Sequence, residues 1–315
     1  MKLALIATLL AALGTAAAAQ DTRTWVDDAG ISVEVPTHPQ RIVSMHDSSL
    51  TTPLIELGVI PVGSFSRTDS NGQPFMRGTG TLSGVTFENS GITPIGGQDA
   101  DLEAIAALAP DLIVMSPFTT TPREKLEVIA PTVLVADNMR GELATFEDLA
   151  ALTGTEDKLA ILKERYANQI AQLRDTLDGR ALSASILLVY DGEIQAWHTY
   201  GVLGKVLRDA GFTFPDILNS IEGDDRVRFS GERLQDFDAD LMFLTYLSGT
   251  GGKAEVEANL DTIMPGYCTF LHACQNEQIV YLPREEAVAR SYTAAGMMAA
   301  AIGAIISSKT ITPAP

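Results

Sequence analysis

The chain contains the same short unit twice. Residues 101–115 read DLEAIAALAPDLIVM and residues 230–244 read SGERLQDFDADLMFL, 129 positions later. In this register Glu103 corresponds to Glu232, Asp111 corresponds to Asp240, and the apolar positions of the two stretches coincide. Each copy is a short amphipathic stretch followed by an apolar run, which is typical of a short helix that leads into a buried strand. The repeat therefore predicts two similar lobes.

Residues 1–19 have the pattern of a secretory signal peptide. One charge, at Lys2, precedes an apolar run, and three alanines form a small-residue cleavage pattern before Gln20. The alternative is a transmembrane anchor, but the run is alanine-rich and at the short end of the roughly 17–25 residues that a span needs. We therefore predict an exported, periplasmic protein whose signal peptide is cleaved.

The formal net charge of −18 restricts the classes of partner that the chain can bind. A chain this acidic is not a general binder of nucleic acid or of anionic membranes. We expect a soluble monomer, and an anionic ligand would have to be attracted by locally placed arginine or lysine side chains.

Two cysteines, Cys268 and Cys274, lie close together in PGYCTFLHACQ. In an exported chain such a pair is typical of a disulfide. A metal site is the alternative, but the two cysteines with His272 offer only three ligands, and their spacing fits no zinc pattern. The disulfide is the favoured interpretation.

Strands alternate with helices along most of the mature chain. Residues 20–40 alternate in the manner of a hairpin, residues 41–153 read as a first α/β lobe, and residues 154–179 form one long amphipathic helix with Thr155 as a cap and Gly179 as its end. Residues 180–315 repeat the scheme and finish in a C-terminal helix. Within the first lobe, residues 66–98 read as a long loop, and GTGTLSG (78–84) as a flexible one.

The predicted fold class is α/β, with two similar Rossmann-like lobes joined by one long helix and a ligand cleft between them. Ligands of such sheets bind beyond the carboxyl ends of the strands, so the loops there are the candidate site. The chain has no phosphate-binding Gly-Lys loop, no GxSxG and no HExxH motif. An exported α/β enzyme remains an alternative, without an identifiable nucleophile and base.

The layout resembles the helix-linked (class III) periplasmic substrate-binding proteins of ABC importers, in the branch for ferric siderophores, haem and cobalamin. The resemblance rests on RIVSMHDSSLTTPLIELGVIPVGS (41–64), on DLEAIAALAPDLIVMS (101–116) and on its counterpart GERLQDFDADLMFL (231–244). It implies a carrier that captures an iron–siderophore complex and delivers it to an inner-membrane permease dimer, with haem or cobalamin as the alternative cargo. It implies no cofactor and no catalytic residue.

Four arginines lie at connections between strands and helices, where a bulky and often anionic ferric chelate would bind. Guanidinium groups suit the iron-bound oxygens of such a ligand. For each, a solvated surface position is the ordinary alternative. The candidates are Arg67, Arg140, Arg228 and Arg290.

Aromatic side chains in the same connections are candidate walls of the site. Trp197 and Tyr200 lie in AWHTYG, between the first strand and first helix of the second lobe, and either could instead fill the core of that lobe. Phe118 and Tyr246 end corresponding strands of the two lobes and could face each other.

His46 follows the first strand and could contact a ligand or help to cap the next helix. A carrier of a bare metal ion would need three or four converging ligands. Only His46 and His198 lie in predicted cleft loops, while His38 and His272 lie elsewhere, which argues against such a carrier.

The resemblance also gives a role to the repeated glutamates. It implies that Glu103 and Glu232, one in each lobe, dock onto arginines of the permease. The alternative is that each acidic side chain only favours the first turn of its helix through the helix dipole.

Overall fold

A computed structural model describes residues 21–136, 141–223, 226–247 and 251–314. The expected signal peptide and Arg140 lie outside these ranges. Within them, no helix combines the length and the apolar character needed to cross a membrane.

The described chain begins with an antiparallel hairpin of β1 (Thr22–Val26) and β2 (Ser32–Pro36). In its turn, the Asp27 carboxylate accepts hydrogen bonds from the backbone N–H groups of Ala29 and Ile31. The same carboxylate lies 2.6 Å from Nη1 of Arg123 and accepts from the N–H of Leu134, which ties the hairpin to the first lobe.

The first lobe is built on a five-stranded parallel sheet. The strands of this sheet are β3 (Ile42–Ser44), β4 (Gly63–Ser64), β7 (Thr93–Pro94), β8 (Leu112–Met115) and β9 (Thr132–Leu134). Between β4 and β7, the strands β5 (Arg67–Thr68) and β6 (Pro74–Phe75) form a separate two-stranded hairpin. The order across the sheet is β7-β4-β3-β8-β9. A π-helical turn at Asp47–Thr51 leads into the first helix. The helices of this lobe are α1 (Thr52–Glu56), α2 (Thr79–Ser83), α3 (Phe87–Ser90), α4 (Leu102–Ala107), α5 (Arg123–Glu127) and α6 (Thr145–Thr153).

The expectation of a long loop at 66–98 is wrong. This segment forms β5, β6, α2, α3 and β7, and its last strand is the edge of the sheet. GTGTLSG is not a flexible loop either, because residues Thr79–Ser83 are helical. These elements are two to five residues long, too short to produce a periodicity that could be read from sequence.

The second lobe has a mixed sheet in the order β12-β11-β10-β13-β14. Its strands are β10 (Ala184–Tyr190), β11 (Glu193–Ala196), β12 (Val227–Phe229), β13 (Leu241–Tyr246) and β14 (Ile279–Pro283). Strands β10, β13 and β14 are parallel, whereas β11 and β12 are antiparallel and were not predicted. The turn between β10 and β11 is Asp191-Gly192, with both residues at positive φ, which is a typical hairpin signal.

Helices of the second half are α7 (Glu156–Leu177), α8 (Gly201–Ala210), α9 (Asp216–Asn219), α10 (Lys253–Ile263), α11 (His272–Gln275), α12 (Arg284–Ala287) and α13 (Tyr292–Ser308). Two 3₁₀ segments, Gly231–Phe237 and Tyr267–Thr269, complete the chain. The predicted disulfide between Cys268 and Cys274 is confirmed and lies between the second of these and α11.

The repeated aspartates have the same structural task in both lobes. Asp111 accepts hydrogen bonds from the backbone N–H groups of Gln40 and Arg41, just before β3. Asp240 accepts from the N–H of Ser183, just before β10. In each lobe the repeated strand, β8 or β13, is parallel to the strand that the aspartate fixes. The repeat thus sets the register of the two central strands.

The predicted long helix is α7. Its buried stripe consists of the apolar side chains at three- and four-residue steps that the sequence predicts, Leu159, Leu162, Tyr166, Ile170, Leu173 and Leu177. Thr155 occupies the N-cap position, but its hydroxyl lies 2.9 Å from that of Thr153 and does not cap the helix. Helix α7 packs against α13 and α8, and the main hydrophobic core includes buried residues of both lobes. The two-lobed α/β fold joined by one helix is therefore confirmed.

A carboxylate of the first lobe caps the C-terminal helix of the second. Glu56, the last residue of α1, accepts hydrogen bonds from the Ser291 hydroxyl (2.5 Å) and from the backbone N–H groups of Tyr292 (2.8 Å) and Thr293 (3.1 Å). Negative charge at the N-terminus of a helix is also favoured by the helix dipole. Since Arg290 directly precedes this cap, the contact between lobes also fixes the position of Arg290.

We predict that Glu56→Ala lowers the free energy of unfolding by about 2 kcal/mol, since hydrogen bonds to a charged group contribute about 1.5–3 kcal/mol. Denaturant unfolding followed by circular dichroism measures the change. Glu164→Ala, on an exposed position of α7, is the control and is expected to leave the midpoint nearly unchanged. Equal midpoints for the two variants would contradict a stabilising role of the Glu56 contact.

Candidate functional site

A cavity of about 300 Å³ lies between the lobes. Its lining combines three arginines, three aromatic side chains, one histidine and one carboxylate, which are Arg77, Arg284, Arg290, Phe118, Trp197, Tyr200, His46 and Glu142. Thr199, Gly201 and Val288 complete the wall. We call this cavity the cleft.

The first lobe contributes His46 from the turn after β3. Its Nδ1 accepts a hydrogen bond from the backbone N–H of Ser49 (3.2 Å) and lies 2.6 Å from the Ser49 hydroxyl. Burial lowers the pKa of His46 to about 4, and the positive charges of Arg67, Arg77 and Arg290 act in the same direction, whereas Asp47 opposes them. The imidazole is therefore neutral at pH 7, and because Nδ1 accepts, the proton lies on Nε2.

Asp47, which follows His46, has a fully buried carboxylate. Its Oδ2 accepts from Nε of Arg67 (2.8 Å) and from the backbone N–H of Arg77 (2.9 Å), and its Oδ1 accepts from Nη2 of Arg67 (3.1 Å) and the N–H of Ser48 (2.9 Å). Burial alone would raise the pKa of Asp47, but the hydrogen bonds and charge of Arg67 outweigh burial and hold that pKa below its ordinary value. Arg67 is thus bound to Asp47 and does not line the cleft.

The three arginines of the cleft come from different parts of the chain. Arg77 donates to the Ser48 hydroxyl (3.1 Å), and Arg290 places its Cζ 5.9 Å from the centre of the Phe118 ring. Burial, with the nearby charge of Arg77, lowers the pKa of Arg290 to about 10. Burial also lowers the pKa of Arg77, and Arg67 adds to the effect. At pH 7 both guanidinium groups remain positively charged.

Arg284 lies at the start of α12 with its Cζ 5.9 Å from the centre of the Trp197 ring. Its Nε is buried and has no hydrogen-bond partner among the described residues. A buried N–H without an acceptor is costly, so an acceptor from a ligand or from water would stabilise this group.

The second lobe supplies two of the aromatic walls. Trp197 and Tyr200 are in edge-to-face contact, with ring centres 4.7 Å apart. Tyr200 is only 3 % exposed, and its hydroxyl is hydrogen-bonded to that of Thr245. Burial raises the pKa of Tyr200 to about 12. Trp197 is half-buried and presents more of its surface than Tyr200 does.

The floor of the cleft contains a close backbone contact. Gly201 has φ +63°, and a Cβ added to it would lie 2.4 Å from Cα of Val288 and 2.9 Å from the carbonyl oxygen of Ala287. Only glycine permits this approach, which joins the N-terminus of α8 to the segment between Arg284 and Arg290.

Five of the nine predicted ligand residues line the cleft: His46, Phe118, Trp197, Tyr200 and Arg290. Phe118 is half exposed and lies 5.3 Å from the His46 ring, centre to centre. Three other predicted residues do not line the cleft, because contacts formed only in the folded structure hold them elsewhere. Arg67 is paired with Asp47, Arg228 lies on β12 with its Nε 3.2 Å from Glu193, and Tyr246 contributes to a separate small cavity with residues of α10. The ninth, Arg140, lies outside the described residues.

Arg77, Arg284 and Glu142 line the cleft and were not among the predicted residues. Arg284 follows β14 directly, so the rule that ligands meet the carboxyl ends of strands could have identified it. Arg77 follows β6, a two-residue strand with no pattern of its own.

No serine or cysteine is among the described residues that line the cleft. Ser49, whose hydroxyl lies 2.6 Å from Nδ1 of His46, is 2 % exposed and is not among the residues that line the cavity, so it is not placed to attack a ligand. Within the described ranges, no three His, Cys, Asp or Glu side chains are grouped so as to hold a metal ion.

Comparisons with known proteins agree with this architecture. The family model for periplasmic binding proteins matches residues 91–286, which is more than half of the chain. The iron(3+)-hydroxamate-binding protein FhuD of Bacillus subtilis is 26% identical over 250 residues, covering 75% of each chain.

Solved structures of similar proteins share the fold. SirA of Staphylococcus aureus, complexed with staphyloferrin B, has a TM-score of 0.72 at 22% identity and covers 89% of this chain and 97% of its own. The FhuD protein of S. pseudintermedius has a TM-score of 0.71 at 19% identity, with 91% and 98% covered. Together with the family match, the two lobes, the linking helix and the cleft lead to one conclusion: this chain belongs to the periplasmic binding protein family.

Proposed function

We propose that the protein is a periplasmic carrier that captures an anionic ferric siderophore between its lobes and delivers it to an ABC importer of the inner membrane. The observation that carries the proposal is the group of three arginines, Arg77, Arg284 and Arg290, in a cleft with aromatic walls.

The charge of the cleft is opposite to that of the chain. The protein has a formal net charge of −18, yet the described lining holds three guanidinium groups against the single carboxylate of Glu142. Burial strengthens the attraction of these groups for an anion, because the effective dielectric constant is lower than in water. Arginine also binds the planar oxygen donors of catecholate, hydroxamate or carboxylate groups through pairs of hydrogen bonds.

The rings of Phe118 and Trp197 support a large and partly apolar ligand. Each has an arginine within 6 Å of its ring centre, so flat apolar surface and positive charge alternate around the cleft. Such alternation suits a chelate whose iron-bound oxygens are anionic and whose backbone is organic. The names of the relatives, an iron-hydroxamate-binding protein and a complex with staphyloferrin B, support the same class of ligand.

Haem is less well supported as the cargo. An axial histidine needs a free nitrogen lone pair, but Nδ1 of His46 accepts from Ser49 and Nε2 carries the proton. An axial tyrosine needs a free hydroxyl, but that of Tyr200 is bonded to Thr245. Cobalamin would need fewer arginines, and an exported enzyme would need a nucleophile in the cleft.

We predict that replacing Arg77, Arg284 and Arg290 together by Gln weakens binding of a ferric polycarboxylate chelate by about 100-fold or more. Each lost hydrogen bond to a charged group contributes about 1.5–3 kcal/mol, and 1.4 kcal/mol corresponds to tenfold in Kd. Quenching of tryptophan fluorescence by the ferric chelate measures Kd.

Arg228→Gln is the matched control, because Arg228 is a surface arginine outside the cleft. Its Kd should equal that of the wild type. A folded triple variant with unchanged affinity would eliminate the cleft as the site for an anionic chelate.

The repeated glutamates are the proposed contacts with the importer. Glu103 and Glu232 are exposed and lie in the first turns of α4 and of the 3₁₀ helix Gly231–Phe237, at equivalent places in the two lobes. A monomeric carrier with two equivalent contacts fits a permease made of two equivalent halves.

We predict that a variant with Glu103→Gln and Glu232→Gln binds its chelate and melts like the wild type, whereas transport in reconstituted vesicles falls about tenfold or more. Close charge pairs across an interface contribute about 1.5 kcal/mol or more each. Glu124→Gln is the control, since Glu124 is also an exposed glutamate in the first turn of a short helix. Full transport by the double variant would show that the two side chains only stabilise their helices and do not contact the importer.

We predict that capture of the chelate changes the overall shape very little. Helix α7 contains no glycine or proline that could act as a hinge, and the Glu56 contact and the shared core hold the lobes together. Small-angle X-ray scattering with and without ferric chelate should give nearly equal radii of gyration. A large decrease would contradict the rigid link.

A further inference from the structure

A second cavity, of about 380 Å³, shares Arg77 with the cleft. Both lobes form its walls. The first lobe contributes the segment from Pro74 to Glu88, and the second contributes Glu285 and Glu286 at the start of α12. We call it the side cavity. Since Arg284 of the same short helix lines the cleft, α12 separates two cavities that lie next to each other.

The lining of the side cavity is apolar with negative charge. Phe75, which is 40 % exposed, lines it together with Met76, Val85 and Phe87. Three carboxylates belong to the described lining, against Arg77 as its one cation; they are Glu88, Glu285 and Glu286. The balance of charge is thus the reverse of that in the cleft.

Glu286 is the side chain that points to a ligand. It is only 7 % exposed, and its Oε2 is buried without a hydrogen-bond partner among the described residues. The positive charge of Arg77 interacts with Glu285, its neighbour. A buried carboxylate oxygen with no donor carries a large desolvation cost, so Glu286 is best satisfied by a donor, preferably a positively charged one.

We propose that the side cavity is a subsite for a protonated alkylamine, carried as an arm of the chelate whose iron centre occupies the cleft. A primary ammonium group offers three donors to a carboxylate, and its alkyl stem packs on the rings of Phe75 and Phe87. The assignment of the amine to the same ligand rests on the proposed function, whereas binding of the amine itself does not. The captured chelate then has two opposite charges, an anionic iron centre near the arginines and a cationic arm at Glu286.

The first experiment uses the ligand-free protein and no iron. n-Pentylammonium chloride is titrated into protein with labelled phenylalanine, and the ring signals of Phe75 and Phe87 are followed by NMR, with n-pentanol as the neutral comparison. The amine should shift these signals, while the alcohol should shift them at least about tenfold more weakly at equal concentration. Equal shifts by amine and alcohol, or none by the amine, would overturn the proposal.

Glu286→Gln keeps the shape of the side chain and removes its charge. In this variant the dissociation constant for the amine should rise at least about tenfold, towards that of the alcohol. Glu164→Gln, on an exposed position of α7, is the matched control and should bind the amine like the wild type. Because the comparison of amine and alcohol needs no variant, it tests whether the side cavity binds a protonated amine even if the Gln variant is poorly folded.

The second experiment assigns the amine to the chelate. A ferric polycarboxylate chelate that carries an aminopentyl arm is compared with the same chelate acetylated at that amine, by fluorescence quenching. The free amine should bind at least about tenfold more tightly in the wild type and equally in Glu286→Gln. Equal affinities in the wild type would refute the arm assignment although the function stands. If neither chelate binds, the proposed function fails. The amine titration still decides whether the side cavity binds a protonated alkylamine.

Discussion

The buried carboxylate of Asp47 is the constraint on which one half of the cleft depends. A charge removed from water in this way is tolerated only when it is paired and hydrogen-bonded, so the chain around it has to supply donors. Arg67 and the backbone of Arg77 supply them, 20 and 30 residues further along. To reach Asp47 the chain folds back through β5 and β6, and this return places the Arg77 side chain in the cleft beside His46.

The other half of the cleft depends on how the N-terminus of α13 is satisfied. Such a terminus can itself bind an anion, but here Glu56 and the Ser291 hydroxyl occupy its N–H groups. The positive charge offered to a ligand at this place therefore belongs to the side chain of Arg290. Two acidic residues of the first lobe thus help to position the arginines of the cleft, since Asp47 binds the backbone of Arg77 and Glu56 binds the residues that follow Arg290.

The sequence predicted the fold well because the fold rests on local periodicity. Strands such as β10 and β13 are long enough to show a buried apolar run, and the stripe of α7 is regular over about five turns. The site was predicted only in part. Whether an arginine such as Arg67 faces a carboxylate or the cleft is decided by a partner distant in sequence, and the two-residue strands β5 and β6 that bring them together leave no periodic signal. The hairpin of β10 and β11 was missed although Asp191-Gly192 marks its turn.

The contact of Gly201 with Val288 gives the cleft a floor and a rim of different stiffness. The floor is backbone against backbone, so no change of rotamer can deepen it. The rim includes the exposed ring of Phe118, which can adjust by rotation about single bonds. Under the proposed function, the floor limits the size of the ligand group that lies against it, while the rim tolerates variety in the rest of the ligand. Exchange of rim side chains can accordingly alter which ligand is preferred, without rebuilding the lobe beneath them.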